Sequence, residues 1–131
     1  MKARILVIED NEKNLYMQTF LLEKSGYEVF QARDGLEGLE LASRIKPALI
    51  VLDIQLPVLD GHEVAHRLKK NPETRDIPIV AVTSYAMAKD RERILANGCE
   101  GYMEKPINPA TFVAEIERHL PTSAPPNGDQ S

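Results

Sequence analysis

Three short runs in this 131-residue chain are apolar at every position: Ile5 to Ile8 (ILVI), Leu49 to Leu52 (LIVL) and Ile79 to Val82 (IVAV). A strand with one wet face alternates apolar and polar residues. A run without alternation needs cover on both faces, which is the environment of a parallel sheet flanked by helices. Two weaker segments, Glu28 to Ala32 and Gly101 to Met103, are shorter or more polar and suit the sheet's edges. Helical patterns start near Glu12, Leu36, Gly61, Ala88 and Ala110, so strand and helix alternate five times. Asn11 and Asp60 can cap two helix starts, and Gly26 and Gly98 can close two helices. With the most apolar strands placed centrally, the expected fold is a flavodoxin-like α/β fold: a doubly wound five-stranded parallel sheet, order 2-1-3-4-5, with five helices.

Residues 1–120 supply this single domain. The segment 121–131 (PTSAPPNGDQS) holds three prolines and no large apolar side chain, and reads as a disordered tail or the start of a linker to a further module. The net charge of -4 argues against nucleic acid as a partner, since phosphate binding needs a basic face. No apolar run approaches the roughly 20 residues that span a bilayer, and the N-terminus carries no signal-like segment; a cytoplasmic protein without membrane attachment is expected. Cys99 is the only cysteine, which rules out an intrachain disulfide and suits a buried structural thiol.

In a sheet of this order, ligands bind beyond the carboxyl ends of the strands where the strand order reverses, between strands one and three. Strand one ends in Glu9-Asp10, strand three in Asp53 and strand four in Thr83-Ser84, while Lys105-Pro106 follows strand five. The topology therefore gathers three acids, hydroxyls and one ammonium. Two unit charges about 4 Å apart repel by about 4 kcal/mol at an effective dielectric of 20, so the acids call for a cation. An all-oxygen ligand set suits Mg2+ better than zinc.

The acidic pair, the lone Asp53 in LIVLDIQLPVLDG, Thr83-Ser84 and Tyr102-x-x-Lys105-Pro106 together resemble, in order and spacing, the receiver domain of two-component response regulators. The likeness runs from residue 3 to about 120 and points in particular to stand-alone receivers of the cell-cycle and relay type. It implies that Asp53 is the phosphoacceptor, taking a phosphoryl group from a phosphohistidine on a histidine kinase or phosphotransfer protein. It further implies that Asp10 and Asp53 hold Mg2+, with the Gln55 carbonyl as a ligand and Glu9 acting through a coordinated water. Glu9 stands where the family commonly has Asp. Lys105 is expected to pair with Asp53 across a cis Lys105-Pro106 bond, Thr83 to reach a phosphoryl oxygen, and Tyr102 to report the change by turning inward. Ser84 and Tyr85 flank the pocket. The output is a reshaped protein-binding face for a downstream effector, on a monomer or weak phosphorylation-linked dimer; the chain would catalyse only its own phosphorylation and dephosphorylation.

On the first helix, Leu15, Tyr16 and Phe20 are expected on the water-facing side, opposite Asn14, Met17, Gln18, Leu21 and Leu22, as a docking patch for the phosphodonor. A different chemistry is suggested by His62-Glu63-Val64-Ala65-His66, the H-E-x-x-H pattern of zinc proteases. The buried stripe of that helix should be Val64, Ala65 and Leu68, which turns both histidines to solvent, and no third ligand follows at a suitable distance. A haloacid dehalogenase-type phosphohydrolase would want a second Asp where Gln55 stands. A flavin carrier would want a hydroxyl-rich phosphate loop where Glu9 to Glu12 stand.

Overall fold

The computed structural model describes residues 3–84 and 87–121. Tyr85 and, apart from its first residue, the expected tail lie outside the described residues. The chain order is β1 (Arg4–Ile8), α1 (Glu12–Lys24), β2 (Glu28–Ala32), α2 (Gly35–Ile45), β3 (Leu49–Asp53), α3 (Gly61–Lys70), β4 (Ile79–Thr83), α4 (Ala88–Ala96), β5 (Gly101–Glu104) and α5 (Phe112–Glu117). All neighbouring strands pair in parallel in the order β2-β1-β3-β4-β5.

The period-two geometry of a strand explains why the apolar runs show no alternation. Along β1, Leu6 and Ile8 face one core, shared with Ala42 of α2, Val64 and Leu68 of α3 and Ile94 of α4. Ile5 and Val7 face the other, shared with Leu15 and Leu22 of α1 and with Phe112 and Ile116 of α5. Both side-chain sets are buried, so the runs Ile5–Ile8, Leu49–Leu52 and Ile79–Val82 are apolar at every position, and polar residues enter these strands only at their ends. Burial of each such Leu or Ile contributes roughly 1.5–3 kcal/mol.

Local signals set the helix ends. The Asn11 carboxamide oxygen accepts the Asn14 N–H at 3.0 Å, and the Asp60 carboxylate accepts the Glu63 N–H at 3.0 Å. Gly26 and Gly98 carry positive φ values of 99° and 94°, where a side chain would be strained. The last helix begins two residues later than its pattern suggests, because Asn108 first forms a turn whose carbonyl accepts the N–H groups of Thr111 and Phe112.

Two expectations fail. Leu15 is buried at 1% exposure, not on the outer side of α1. It lies seven residues from Leu22, which at about 100° per residue leaves the two only about 20° apart, so both join the inward stripe. His62 is buried at 8% exposure, not solvated. The stripe of α3 is wider than Val64, Ala65 and Leu68, since Gly61 and His62 belong to it as well.

Candidate functional site

The carboxyl ends of β1 and β3 are neighbours because Ile8 pairs with Leu52. The residues that follow must therefore share one rim. Glu9, Asp10 and Asp53 each offer a carboxylate oxygen there, and these oxygens all lie within 4.8 Å of one another. Asp53 is buried at 2% exposure and Glu9 at 1%, while Asp10 is exposed. Like charges this close in a partly dry pocket resist ionisation. Burial, followed by the neighbouring Asp53, pushes the Glu9 carboxyl up to about 7, against the opposing pull of Lys105.

The Lys105 ammonium stands 3.1 Å from Asp53 Oδ1 and 3.6 Å from Glu9 Oε1, and is the resident counter-charge. The Lys105 N–H donates to the Thr83 carbonyl at 2.8 Å, fixing the chain just beyond β5 to the end of β4. The Lys105-Pro106 peptide, as expected, is cis. Three carboxylates and one ammonium leave room for further positive charge, and the oxygen-only donor set fits a hard divalent cation.

The loop after β3 holds Asp53 in place. Gln55 N–H donates to Asp53 Oδ1 at 3.0 Å, and Ile54 N–H donates to the Val82 carbonyl at 2.9 Å. A Cβ on Gly61 would run into the Asp53 carbonyl oxygen and the Ile54 backbone, so only glycine lets α3 start this close to the loop. Between them Val58 adopts φ 65° and the Leu59 N–H donates to the Pro57 carbonyl at 2.7 Å, a tight reversal costly for a β-branched residue.

Thr83 is buried at the end of β4, and Tyr102 of β5 pairs with Ala81. Side chains at paired positions and at alternate positions along a strand share a face, so Thr83 and Tyr102 lie on the same side of the sheet. Tyr102 is half-buried against the core beneath α3 and α4.

Two contributions were not read from the sequence. Gln18, one of the buried stripe of α1, donates through Nε2 to Glu9 Oε1 at 3.4 Å, and its own Oε1 is buried without a partner. The Gln55 side chain, and not only its backbone, serves the site: Nε2 donates to Thr83 Oγ1 and Oε1 accepts the Ser84 N–H, both at 2.9 Å. A polar residue on an apolar helical stripe is the signal that marks Gln18; nothing local marks the Gln55 bridge.

Outside the pocket, Tyr16 and Phe20 are 71% and 50% exposed on α1, stacked with ring centroids 6.3 Å apart, and Lys24 lies over the Phe20 ring at 5.9 Å. Leu15 is no part of this patch. His62 and His66 line an open groove of about 430 Å³ with Asp60, Glu63 and Arg93, which includes none of Glu9, Asp10 and Asp53. The only group of three or more candidate metal ligands among the described residues is the acidic one, so the two histidines gain no third partner. Burial, then the Arg93 charge, lowers the His62 pKa. Cys99 is buried and its thiol is pushed up to about 12 by desolvation, an inert structural side chain.

The sequence profile of the family described as "Response regulator receiver domain" matches residues 5–117. The polar-differentiation response regulator DivK of Brucella anthropi is 46% identical over 120 residues, covering 92% of this chain and 98% of that protein. Its counterpart in Brucella ovis matches with the same identity and coverage. Among solved structures, the chemotaxis protein CheY4 of Vibrio cholerae superposes with a TM-score of 0.87 at 28% identity, covering 92% of this chain and all of that one. The receiver domain of the sensor histidine kinase PA1611 of Pseudomonas aeruginosa, described with a magnesium ion coordinated in its active site cleft, gives 0.83 at 32% identity over 91% and 98% of the two chains. No helix among the described residues is long and apolar enough to cross a membrane.

Proposed function

The chain belongs to the response regulator receiver domain family, and on that premise we propose that it is a phosphoacceptor switch in which Asp53 takes a phosphoryl group from a phosphohistidine. The observation that carries this reading is the convergence of Glu9, Asp10 and Asp53 within 4.8 Å, with the Lys105 ammonium 3.1 Å from Asp53. A carboxylate oxygen of Asp53 attacks phosphorus in line, the P–N bond to the donor imidazole breaks, and the freed imidazole nitrogen takes a proton.

Little bond chemistry is left to the protein, so its work is positioning and charge neutralisation. Asp53 is fixed by the Gln55 N–H before the donor arrives, which limits the orientations its carboxylate can take. Lys105 moves its attention from Asp53 to an incoming phosphoryl oxygen, a charge-assisted contact that grows as negative charge builds. The Thr83 hydroxyl supplies a neutral donor on the same rim. Asp10, Asp53 and the Gln55 carbonyl, backed by Glu9, would hold Mg2+. When bound, Mg2+ neutralises the acidic cluster and the phosphoryl oxygens.

The donor docks over α1, where Tyr16 and Phe20 present an exposed aromatic stack. The signal leaves through Thr83 and Tyr102 toward the face formed by α4, β5 and α5, where a downstream protein reads it.

Incubation with Mg2+ and acetyl phosphate, followed by intact-mass measurement, tests the reading. One added phosphoryl group in the wild type and none in Asp53→Asn supports it. Steady release of inorganic phosphate from many esters would instead indicate a hydrolase.

A further inference from the structure

We propose that the Gln55 side chain is a latch that holds Thr83 and Ser84 in the resting position, so that Asp53 is read out only as this clamp opens. The inference rests on the phosphoacceptor reading above. Gln55 follows Asp53 by two residues yet reaches across 28 and 29 residues of sequence to the end of β4. Its amide is used at both ends: Nε2 donates to Thr83 Oγ1 at 2.9 Å, and Oε1 accepts the Ser84 N–H at 2.9 Å. A carboxamide alone among short polar groups offers a donor and an acceptor in one rigid plane, which is what two successive positions on a neighbouring strand end require.

The same residue senses Asp53. The Gln55 N–H donates to Asp53 Oδ1 at 3.0 Å, a bond strengthened by the carboxylate's charge. Esterifying that carboxylate to an acyl phosphate removes its charge and weakens this bond. Thr83, moving to donate its hydroxyl to a phosphoryl oxygen, stretches the bond it accepts from Gln55 Nε2. Since the Thr83 carbonyl also anchors the Lys105 N–H at 2.8 Å, the displacement is felt at the end of β5, three residues from Tyr102. Gln55 is thus a positioning residue acting through Thr83, set between the reacting carboxylate and the strand that transmits the change.

Amide spectra and hydrogen exchange of the full chain test this, with Gln55→Met removing both side-chain hydrogen bonds at nearly constant volume and Gln55→Asn shortening the reach by one methylene. In unphosphorylated Gln55→Met, the Ser84 amide should exchange about fivefold faster or more, the loss expected for one backbone-directed hydrogen bond. Amides of Val80 to Val82 should keep their protection, which shows that the sheet is intact. The Tyr102 amide resonance should move part of the way from its resting position to that of the acetyl phosphate-treated, Mg2+-bound wild type, and Gln55→Asn should move it in the same direction. In a Thr83→Val background, Gln55→Met should give no further Tyr102 shift. Unchanged Ser84 exchange, or faster exchange with Tyr102 fixed at its resting position, overturns the latch while wild-type labelling leaves the phosphoacceptor reading standing. A wild type that takes up no phosphoryl group overturns that reading and the latch with it.

Discussion

The rim at the carboxyl ends of β1 and β3 and the groove beside α3 both hold side chains of the types that ligate metals, and they differ in how those side chains are brought together. Glu9, Asp10, Asp53 and Lys105 span nearly 100 residues of sequence, yet they meet within a few ångströms. His62 and His66 are four residues apart in a recognisable motif, yet among the described residues they form no group of three candidate ligands, and Arg93 lines the same groove. Motif density along the chain is therefore a poor guide to a working site. What makes the rim chemical is a sheet topology that directs several strand ends at one point, with two of the three carboxylates buried.

The largest expected effect separates the two regions by activity. Asp53→Asn should abolish phosphoryl uptake from acetyl phosphate, a loss of at least about 1000-fold by intact mass, whereas His66→Ala should leave uptake unchanged. Loss in both variants would mean that the groove takes part.

The second probes the rim's internal balance. Lys105→Met leaves buried Asp53 and Glu9 without their cation, and removing one partner of a buried pair costs about 3–5 kcal/mol, reduced here because Asp10 opens the rim to water. A loss of about 2 kcal/mol in urea unfolding at pH 7.5 without Mg2+ is expected, much of it regained at millimolar Mg2+. No recovery with Mg2+ would show that the acids do not hold the ion.

A third asks from which side the pocket is approached. Tyr16→Ala combined with Phe20→Ala should slow transfer from a phosphohistidine donor by about tenfold, equivalent to about 1.4 kcal/mol, and spare labelling by acetyl phosphate. Equal losses with both donors would place the patch's effect on the fold.

The smallest effect is one of sign. The Glu9 carboxyl, raised from 4.5 to about 7, adds stability that is complete below pH 4.5 and disappears as pH rises through 7. His62, with a lowered pKa, does the reverse: its contribution is present above its ordinary value of 6.5 and is lost as pH falls below it. In metal-free protein, Glu9→Gln should remove part of the downward slope of stability between pH 5 and 8, on the order of 1 kcal/mol. His62→Gln should remove part of an upward slope below pH 6.5. Matching slope changes in the two variants would contradict the separate environments assigned to them.

Much of this was legible beforehand. The unbroken apolar runs announced strands covered on both faces, and their contrast with the weaker segments Glu28 to Ala32 and Gly101 to Met103 gave the strand order. That order in turn placed Glu9, Asp10, Asp53 and Lys105 on one rim. Of the two misjudged positions, Leu15 was misplaced against the helix's own period, one heptad from Leu22, whereas His62 sits on the border of α3's buried stripe, where a modest rotation decides between core and water. The direction a helix turns is set by what it packs against, so local periodicity leaves such a border residue undecided.

The sequence by itself determined where chain segments run and which strand ends come together, because burial on two faces and helix capping are dictated by residues a few positions apart. Only the tertiary structure decided which polar atoms meet: Gln55 with Thr83 and Gln18 with Glu9 at the rim, and, just before β2, the Tyr27 hydroxyl donating to Glu117 at 2.6 Å across 90 residues. Hydrogen bonds of this kind depend on ångström-scale distance and on angle. Those follow from how whole layers pack, and no spacing along the chain records them.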